Sequence, residues 1–322
     1  MIHRPTRFVA VLSLIVIAAS AAAAQKAPAW LTQAASQPTP SFAMTGVPAV
    51  VLMNEETVNV SSDGTVIRTV RHAVRILEPQ GRSEAVAAVV YQTDADKVKS
   101  LDAWLIPRQG KISEYGKKEA VDVALVSNDL YNEARTRLIS ASDEIEVGEV
   151  FGYESVLEEK NIFSQFSYRF QHDIPVIRSR FTLNMPNGWR AESVTFNANT
   201  IEPAVQGTNY VWEMANLQPI RYEPGSPRRS SLAPRLAVSI FPEQPVATRL
   251  KTFANWNEVA RWMSEIEDPM MTVNDALAAK AQELTADAKT EFEKIQAISR
   301  YVQGIQYISI QIGTGRGGGY IP

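Results

Sequence analysis

The sequence predicts a mainly β protein: an antiparallel β-sandwich over residues 48–245, followed by a short α-helical segment at 246–322. Three observations support this class. Residues 49–77 alternate apolar and polar side chains with a period of two on either side of Asp63-Gly64, the signature of a hairpin. A series of short β-rich runs follows, separated by turn formers with no helical run between them, which favours packed antiparallel sheets over a parallel α/β sheet. After Asn255 the apolar period lengthens to that of an amphipathic helix.

The elements follow in chain order. Arg4 and Arg7, the apolar run 8–19 and Ala22-Ala23-Ala24 have the layout of an export signal cleaved before Gln25. Residues 1–24 are therefore expected to be lost and the protein to be periplasmic or secreted. The run reaches the ~20 residues of a membrane span only if its alanines are counted, so no stable span is expected after cleavage. Cleavage removes two arginines and no acid, leaving 30 basic against 35 acidic residues. Such a mildly acidic chain has no electrostatic bias toward nucleic acid or anionic lipid. Residues 25–47 are rich in Ala, Pro, Ser, Thr and Gln and read as a linker or loose arm.

From residue 49 the strands begin. The run 49–60 ends at Ser61-Ser62-Asp63-Gly64; its partner, 65–77, places Val66, Val70, Val74 and Ile76 on one face. Thr65, Thr69, Arg71 and Arg75 fall mostly on the other, as in a half-buried antiparallel strand. Further strands are expected at 85–91, 98–106, 135–140, 149–157, 163–172, 178–185, 192–196, 209–213 and 235–241. Turn formers such as Gln109-Gly110, Val147-Gly148, Pro186-Asn187-Gly188 and Gln206-Gly207 separate several of them.

Asn255 with Glu258 is a capping signal, and Val259, Trp262, Met263 and Ile266 then share one helical face before Asp268-Pro269 ends it. A second helix is expected over 273–284. A third, over 289–303, has the stripe Phe292, Ile295, Ile298 and Val302 and stops at Gly304. Residues 305–312 read as a strand with Ile308, Ile310 and Ile312 on one side. Three amphipathic helices and one strand cannot close their own apolar faces, so this segment is expected to open a further domain that is incomplete at Pro322.

The chemistry available is narrow. With no cysteine there is no disulfide, thiolate metal ligand, lipoprotein anchor or cysteine nucleophile, and only three histidines are present, one of them in the leader. Gly313-x-Gly315-x-x-Gly318 has a dinucleotide-binding spacing, but that motif needs a following helix and a later acid, so a glycine connector is the better reading. His72 shares a face with Val70, Val74 and Ile76, which suits a hydrogen-bonded core histidine. His172-Asp173 before Ile174-Pro175 suits a turn, and no nucleophile is placed beside it. The acids Asp143, Glu144, Glu146, Glu149, Glu154, Glu158 and Glu159 match no calcium loop, and adjacent Glu158 and Glu159 must point to opposite faces. They read as a solvated strand face. Arg221, Arg228, Arg229 and Arg235 form a basic stretch in Pro-rich sequence, suited to a solvated loop. No catalytic, cofactor-binding or metal-ligating residue is assigned, and no cofactor is expected.

Several segments resemble a family of bacterial exported proteins in which a β-sandwich domain of unknown function precedes a transglutaminase-like, papain-related domain. Val147-Gly148-Glu149-Val150-Phe151-Gly152-Tyr153-Glu154 is similar to the family's Pro-Gly-x-φ-φ-x-Tyr-x segment. Pro175-Val176, Arg178-Ser179 and Pro186-x-Gly188-Trp189 resemble its central hairpin. Trp256 to Trp262, Tyr301-Val302-Gln303, Ile305-x-Tyr307 and Gly315-Arg316-Gly317-Gly318 look like the lead-in to the transglutaminase core. In that family a Gly-Asp-Cys turn follows, with His and Asp on later strands, and the thiolate attacks an amide carbonyl to give a thioester. The sequence stops before such a turn, so none of those residues carries over. The resemblance implies a non-catalytic envelope module that supports or presents a transglutaminase- or protease-like domain, or binds a peptide, protein or cell-wall ligand. The rival expectation is an autonomous carboxylate-dependent hydrolase of envelope glycans, which would need two acids opening into one pocket.

Overall fold

Strands β1 (Ala49–Val60) and β2 (Val66–Ile76) form the expected hairpin. The computed structural model describes residues 27–39, 46–125, 134–160, 163–221, 223–242, 251–253 and 255–305. The expected leader, the strand at 305–312 beyond Ile305, and the glycine run 313–319 lie outside the described residues. Gly64 takes φ +83° in the hairpin turn, a conformation that favours glycine. The Asp63 carboxylate accepts from the Thr65 N–H at 2.9 Å and its hydroxyl at 3.0 Å, so the turn supplies its own hydrogen bonds. Register runs from Ala49↔Ile76 to Val60↔Val66, with an irregularity between Val51 and Met53.

This hairpin is the centre of an eight-stranded sheet. β3 (Val86–Gln92), β4 (Lys97–Ile106), β5 (Ser113–Tyr115), β6 (Val121–Ala124), β7 (Ala134–Ser140), β8 (Val150–Glu159), β9 (Gln165–Arg169), β10 (Val176–Asn184), β11 (Arg190–Phe196), β12 (Ala204–Gln206), β13 (Asn209–Leu217) and β14 (Arg235–Phe241) complete the set. The large sheet has the order β12-β13-β10-β1-β2-β8-β4-β5. All its pairs are antiparallel except β1 with β10, which run parallel. Two three-stranded sheets, β3-β7-β6 and β11-β14-β9, pack on it.

Each small sheet closes its own core, and both cores lie on the same face of the large sheet: alternation along β2 sets Val66 and Val74 on one side, and the irregularity between Val51 and Met53 brings Val51 and Val58 of β1 to it. Ala87, Val89 and Ile139 of the first meet Val74, Ala103 and Phe151. Phe166, Leu236 and Ile240 of the second meet Val58, Phe181 and Trp212. The fold is mainly β, with antiparallel-rich sheets and a few C-terminal helices.

The opposite face carries a correction. The stretch expected as a loose linker contains a helix, α1 (Ala29–Ala35), whose Leu31 and Ala34, with Ala27, pack on Val50, Leu52 and Ala73. Few apolar residues suffice because β8 makes room for them. A Cβ on Gly152 would lie 2.3 Å from Leu31 Cδ1, so only glycine admits that side chain so close to the sheet. Arg75 then donates to the carbonyls of Ala35 (2.6 Å) and Gln37 (2.9 Å) and to Thr39 Oγ1 (2.7 Å), pinning the end of α1. β2 is therefore covered on both faces along part of its length, and is not simply half-buried.

Three helices follow the sandwich: α2 (Trp256–Glu267), α3 (Asp275–Thr285) and α4 (Glu291–Gln303). Local capping fixes their starts. Asn255 Oδ1 accepts from the Glu258 N–H at 3.1 Å and Asn274 Oδ1 from the Leu277 N–H at 2.9 Å. Thr290 and Glu293 close a full capping box. No residue of the three is buried. Among the described residues no helix is long and apolar enough to cross a membrane.

Candidate functional site

Polar chemistry gathers in two places, a seam between the two sandwich cores and a cavity where the sandwich meets α2. The seam is set by register. Ser179, Asn54, His72 and Tyr153 are consecutive partners across β10, β1, β2 and β8, so their side chains share the inner face. Tyr168 reaches down from β9: its hydroxyl donates to the Asn54 carbonyl (2.9 Å), accepts from Asn54 Nδ2 (2.8 Å) and lies 2.8 Å from Ser179 Oγ. His72 Nδ1 is 3.4 Å from Asn54 Oδ1, and its ring lies 5.5 Å from that of Tyr153.

Farther along the strands, two residues on in β1, four in β2 and six in β8, the seam becomes charged. Arg68 grips Glu159 through Nε (3.1 Å) and Nη2 (3.0 Å) and bonds Glu56 through Nη1. Its guanidinium also lies 5.9 Å from the centre of the Phe166 ring. Burial raises the Glu56 carboxyl above its ordinary value, with Arg68 opposing. Burial pulls down His72, to about 4, and the nearby His172 acts in the same direction. Burial raises the phenols of Tyr153, to about 12, and of Tyr168. At neutral pH the row is thus a neutral imidazole between neutral phenols, beside a guanidinium shared by two acids. Such an arrangement holds strands in register, and each carboxylate is already committed to Arg68.

The residues singled out in the sequence are dispersed. His72 is the hydrogen-bonded core histidine expected. His172 keeps an exposed surface, with Nδ1 3.5 Å from Arg169 Nη1; the partial loss of solvent around its ring lowers its pKa, Arg169 adding to this and Asp173 opposing. Asp173 accepts at its carbonyl from the Ile220 N–H (2.8 Å), as suits a turn. Of the acidic stretch expected as a solvated strand face, Asp143, Glu144 and Glu146 are exposed, and Glu149, Glu154, Glu158 and Glu159 are partly so. Glu144 accepts from the Tyr115 hydroxyl (2.7 Å), Glu146 pairs with Arg82 (2.5 Å), Glu154 with Arg71 (2.5 Å) and Glu158 with Lys99 (2.5 Å). Long-range strand pairing brings these cations within reach, which local sequence does not reveal. Glu158 and Glu159 do point apart, one to Lys99 and the other into the seam. In the basic stretch Arg235 lies over the Phe196 ring at 4.5 Å, while Arg221 and Arg228 are exposed. Among the described residues no group of three or more His, Asp or Glu could hold a metal ion.

The second place was not foreseen. Phe163 bridges to Lys251, and Ser164 donates to the Lys251 carbonyl through its N–H (3.3 Å) and hydroxyl (2.9 Å). Trp262 of α2 then lies edge-on to Phe163 at 5.6 Å and 5.4 Å from Phe253. Between them opens a cavity of about 410 Å³, walled by Phe163, Phe241, Phe253, Trp256 and Val259, with Lys251 at its edge. In the sequence Trp262 is legible only as part of the helix stripe with Val259, Met263 and Ile266.

Comparison with known proteins supports the fold. Residues 62–221, from the hairpin turn to just past β13, match the family described as a domain of unknown function with a solved structure, DUF3857. No curated protein matches the sequence. A solved structure from Parabacteroides distasonis, described as a "putative protease", is similar with a TM-score of 0.65 at 14% identity. The match covers 84% of this chain and 53% of that one, so the chain spans about half its length. Yeast LTA4 hydrolase in complex with bestatin gives a TM-score of 0.30 at 9% identity over 66% of this chain and 33% of that one, too low to bear on the fold.

Proposed function

We propose that this protein is an exported, non-catalytic module whose sandwich holds α2–α4 in position to receive a transglutaminase- or protease-like domain. The observation that carries this reading is the exposure of the helices' apolar side chains. On the helices Phe292 is 67% exposed, Ile295 57% and Leu277 55%, and Val273, just before α3, is 70% exposed. Exposed apolar side chains gathered on one short segment mark an interaction site. The family resemblance, the DUF3857 match and the likeness to half of a protease-named chain point the same way. The rival, a glycan hydrolase, would need an acid free to give up a proton, and Glu56 and Glu159 share Arg68 instead.

Amide hydrogen exchange over residues 255–305 tests the proposal, comparing the chain alone with the chain joined after Pro322 to a transglutaminase-like domain of the resembling family. Exchange should slow across α4 in the joined protein. Identical exchange in the two would sink the support role.

A further inference from the structure

We propose that the cavity between β14, Phe163 and α2 is a binding site for the free C-terminal carboxylate of a peptide ending in an apolar residue. It goes beyond the support role and stands if that role fails, because it rests on the cavity alone. A volume of about 410 Å³ falls in the range of small-ligand sites. Five of its lining side chains, Phe163, Phe241, Phe253, Trp256 and Val259, are apolar. Trp262 backs two of them, so the wall is braced before any ligand arrives. Trp256 is 84% exposed, a large aromatic surface that nothing among the described residues covers.

The polar groups at the rim narrow the chemistry. Gln165 Nε2 donates to Ser239 Oγ (3.1 Å), Ser164 Oγ to the Lys251 carbonyl (2.9 Å), and Asn255 Oδ1 accepts from the Glu258 N–H (3.1 Å). These groups are occupied with one another. The Lys251 ammonium is the exception: the residue is exposed and its side chain has no ion pair among the described residues. No Asp or Glu is among the described lining residues; the Glu258 carboxylate accepts from Asn255 Nδ2 at 3.3 Å. Among the described residues the site therefore offers apolar walls and one cationic side chain, and complements a ligand with an apolar group beside one negative charge. A free amino acid would bring an α-ammonium for which the described lining residues supply no carboxylate. A peptide end, whose nitrogen is acylated, brings only the carboxylate and the last side chain.

Calorimetric titration of the full chain with N-acetyl-Gly-Gly-Phe, its C-terminal amide and free phenylalanine tests the assignment. The acid should bind, and the amide and the free amino acid should bind roughly five- to tenfold more weakly, the worth of one exposed charge-assisted contact. Lys251→Ala should abolish the preference for acid over amide with an unchanged melting temperature, and Trp256→Ala should weaken both peptides. Equal binding of acid and amide, equal binding of free phenylalanine, or no heat from the acid at about 1 mM with a folded protein would each overturn the proposal.

Discussion

The sandwich and the helices that follow it are built by opposite means. In the sandwich, Phe151 and Phe181 are fully buried and Trp212 is 1% exposed, in cores assembled from strands distant in sequence. In α2–α4 every start is capped by a neighbouring side chain, yet no residue is buried. Local chemistry thus specifies the helices without placing them, whereas long-range pairing specifies the sheets. The two regions should answer differently to the same kind of substitution.

The sharpest contrast is between two phenylalanines. Phe151→Ala should cost about 3–5 kcal/mol in urea-induced unfolding, as core truncations do. Phe292→Ala, on an exposed face, should cost less than about 0.5 kcal/mol. Comparable losses would break the distinction between the regions.

The next effect is electrostatic and confined to the sandwich. His72 sits near 4 in the folded protein against about 6.5 unfolded. Between those values the unfolded chain binds a proton that the folded chain refuses. His72's contribution is therefore intact above about pH 6.5 and is lost as the pH falls toward 4, by roughly 2–3 kcal/mol. The raised Glu56 carboxyl works in the other sense, since its folded form takes up a proton first on acidification. The clean measurement is the difference between the native protein and His72→Gln across pH 4–7, which should narrow as the pH drops. A constant difference would mean that the imidazole does not titrate as its burial requires.

Gly152→Ala should destabilise by about 1–3 kcal/mol through overpacking, since the new Cβ would meet Leu31 at 2.3 Å and the His72 carbonyl at 3.1 Å. Leu31 would yield first, so cleavage by a protease near residues 29–35 should precede global unfolding. A smaller loss is expected of Thr290→Ala, about 1 kcal/mol at the start of α4. It should lower helical ellipticity while leaving the main melting transition where it was.

Legibility from sequence followed the same division. β14 is delimited to the residue because alternation runs to its ends, β1 because Pro48 and Ser61-Ser62-Asp63-Gly64 bracket it, and α2 by Asn255 and Asp268-Pro269. β5, β6 and β12 were missed because three or four residues such as Ser113-Glu114-Tyr115 carry no period and exist only through their partners. α1 was missed because its composition is that of a linker; Leu31 is informative only once Gly152 is known to lie beneath it. In the seam, His72 was placed correctly by alternation. The same alternation sets Arg68 between Val66 and Val70, but nothing local announced that Glu56 and Glu159 would flank it. The aromatic cavity depends on a bridge between Phe163 and Lys251 and could not be read from spacing.

The parallel pairing of β1 with β10 sets the order of events as the chain folds. Asn54 and Ser179 are 125 residues apart, and the register runs from Val51↔Val176 to Asn59↔Asn184. Closing so long a loop is slow, because its entropy is lost before any contact compensates for it. The β1–β2 hairpin can form early from local sequence, but one side of β1 then waits, its backbone groups open, for a strand synthesised more than a hundred residues later. During that interval the middle of the future sheet is an edge. Refolding yield should therefore fall with protein concentration, and a short peptide of the β10 sequence, supplied in excess, should compete for the same groove in the nascent hairpin.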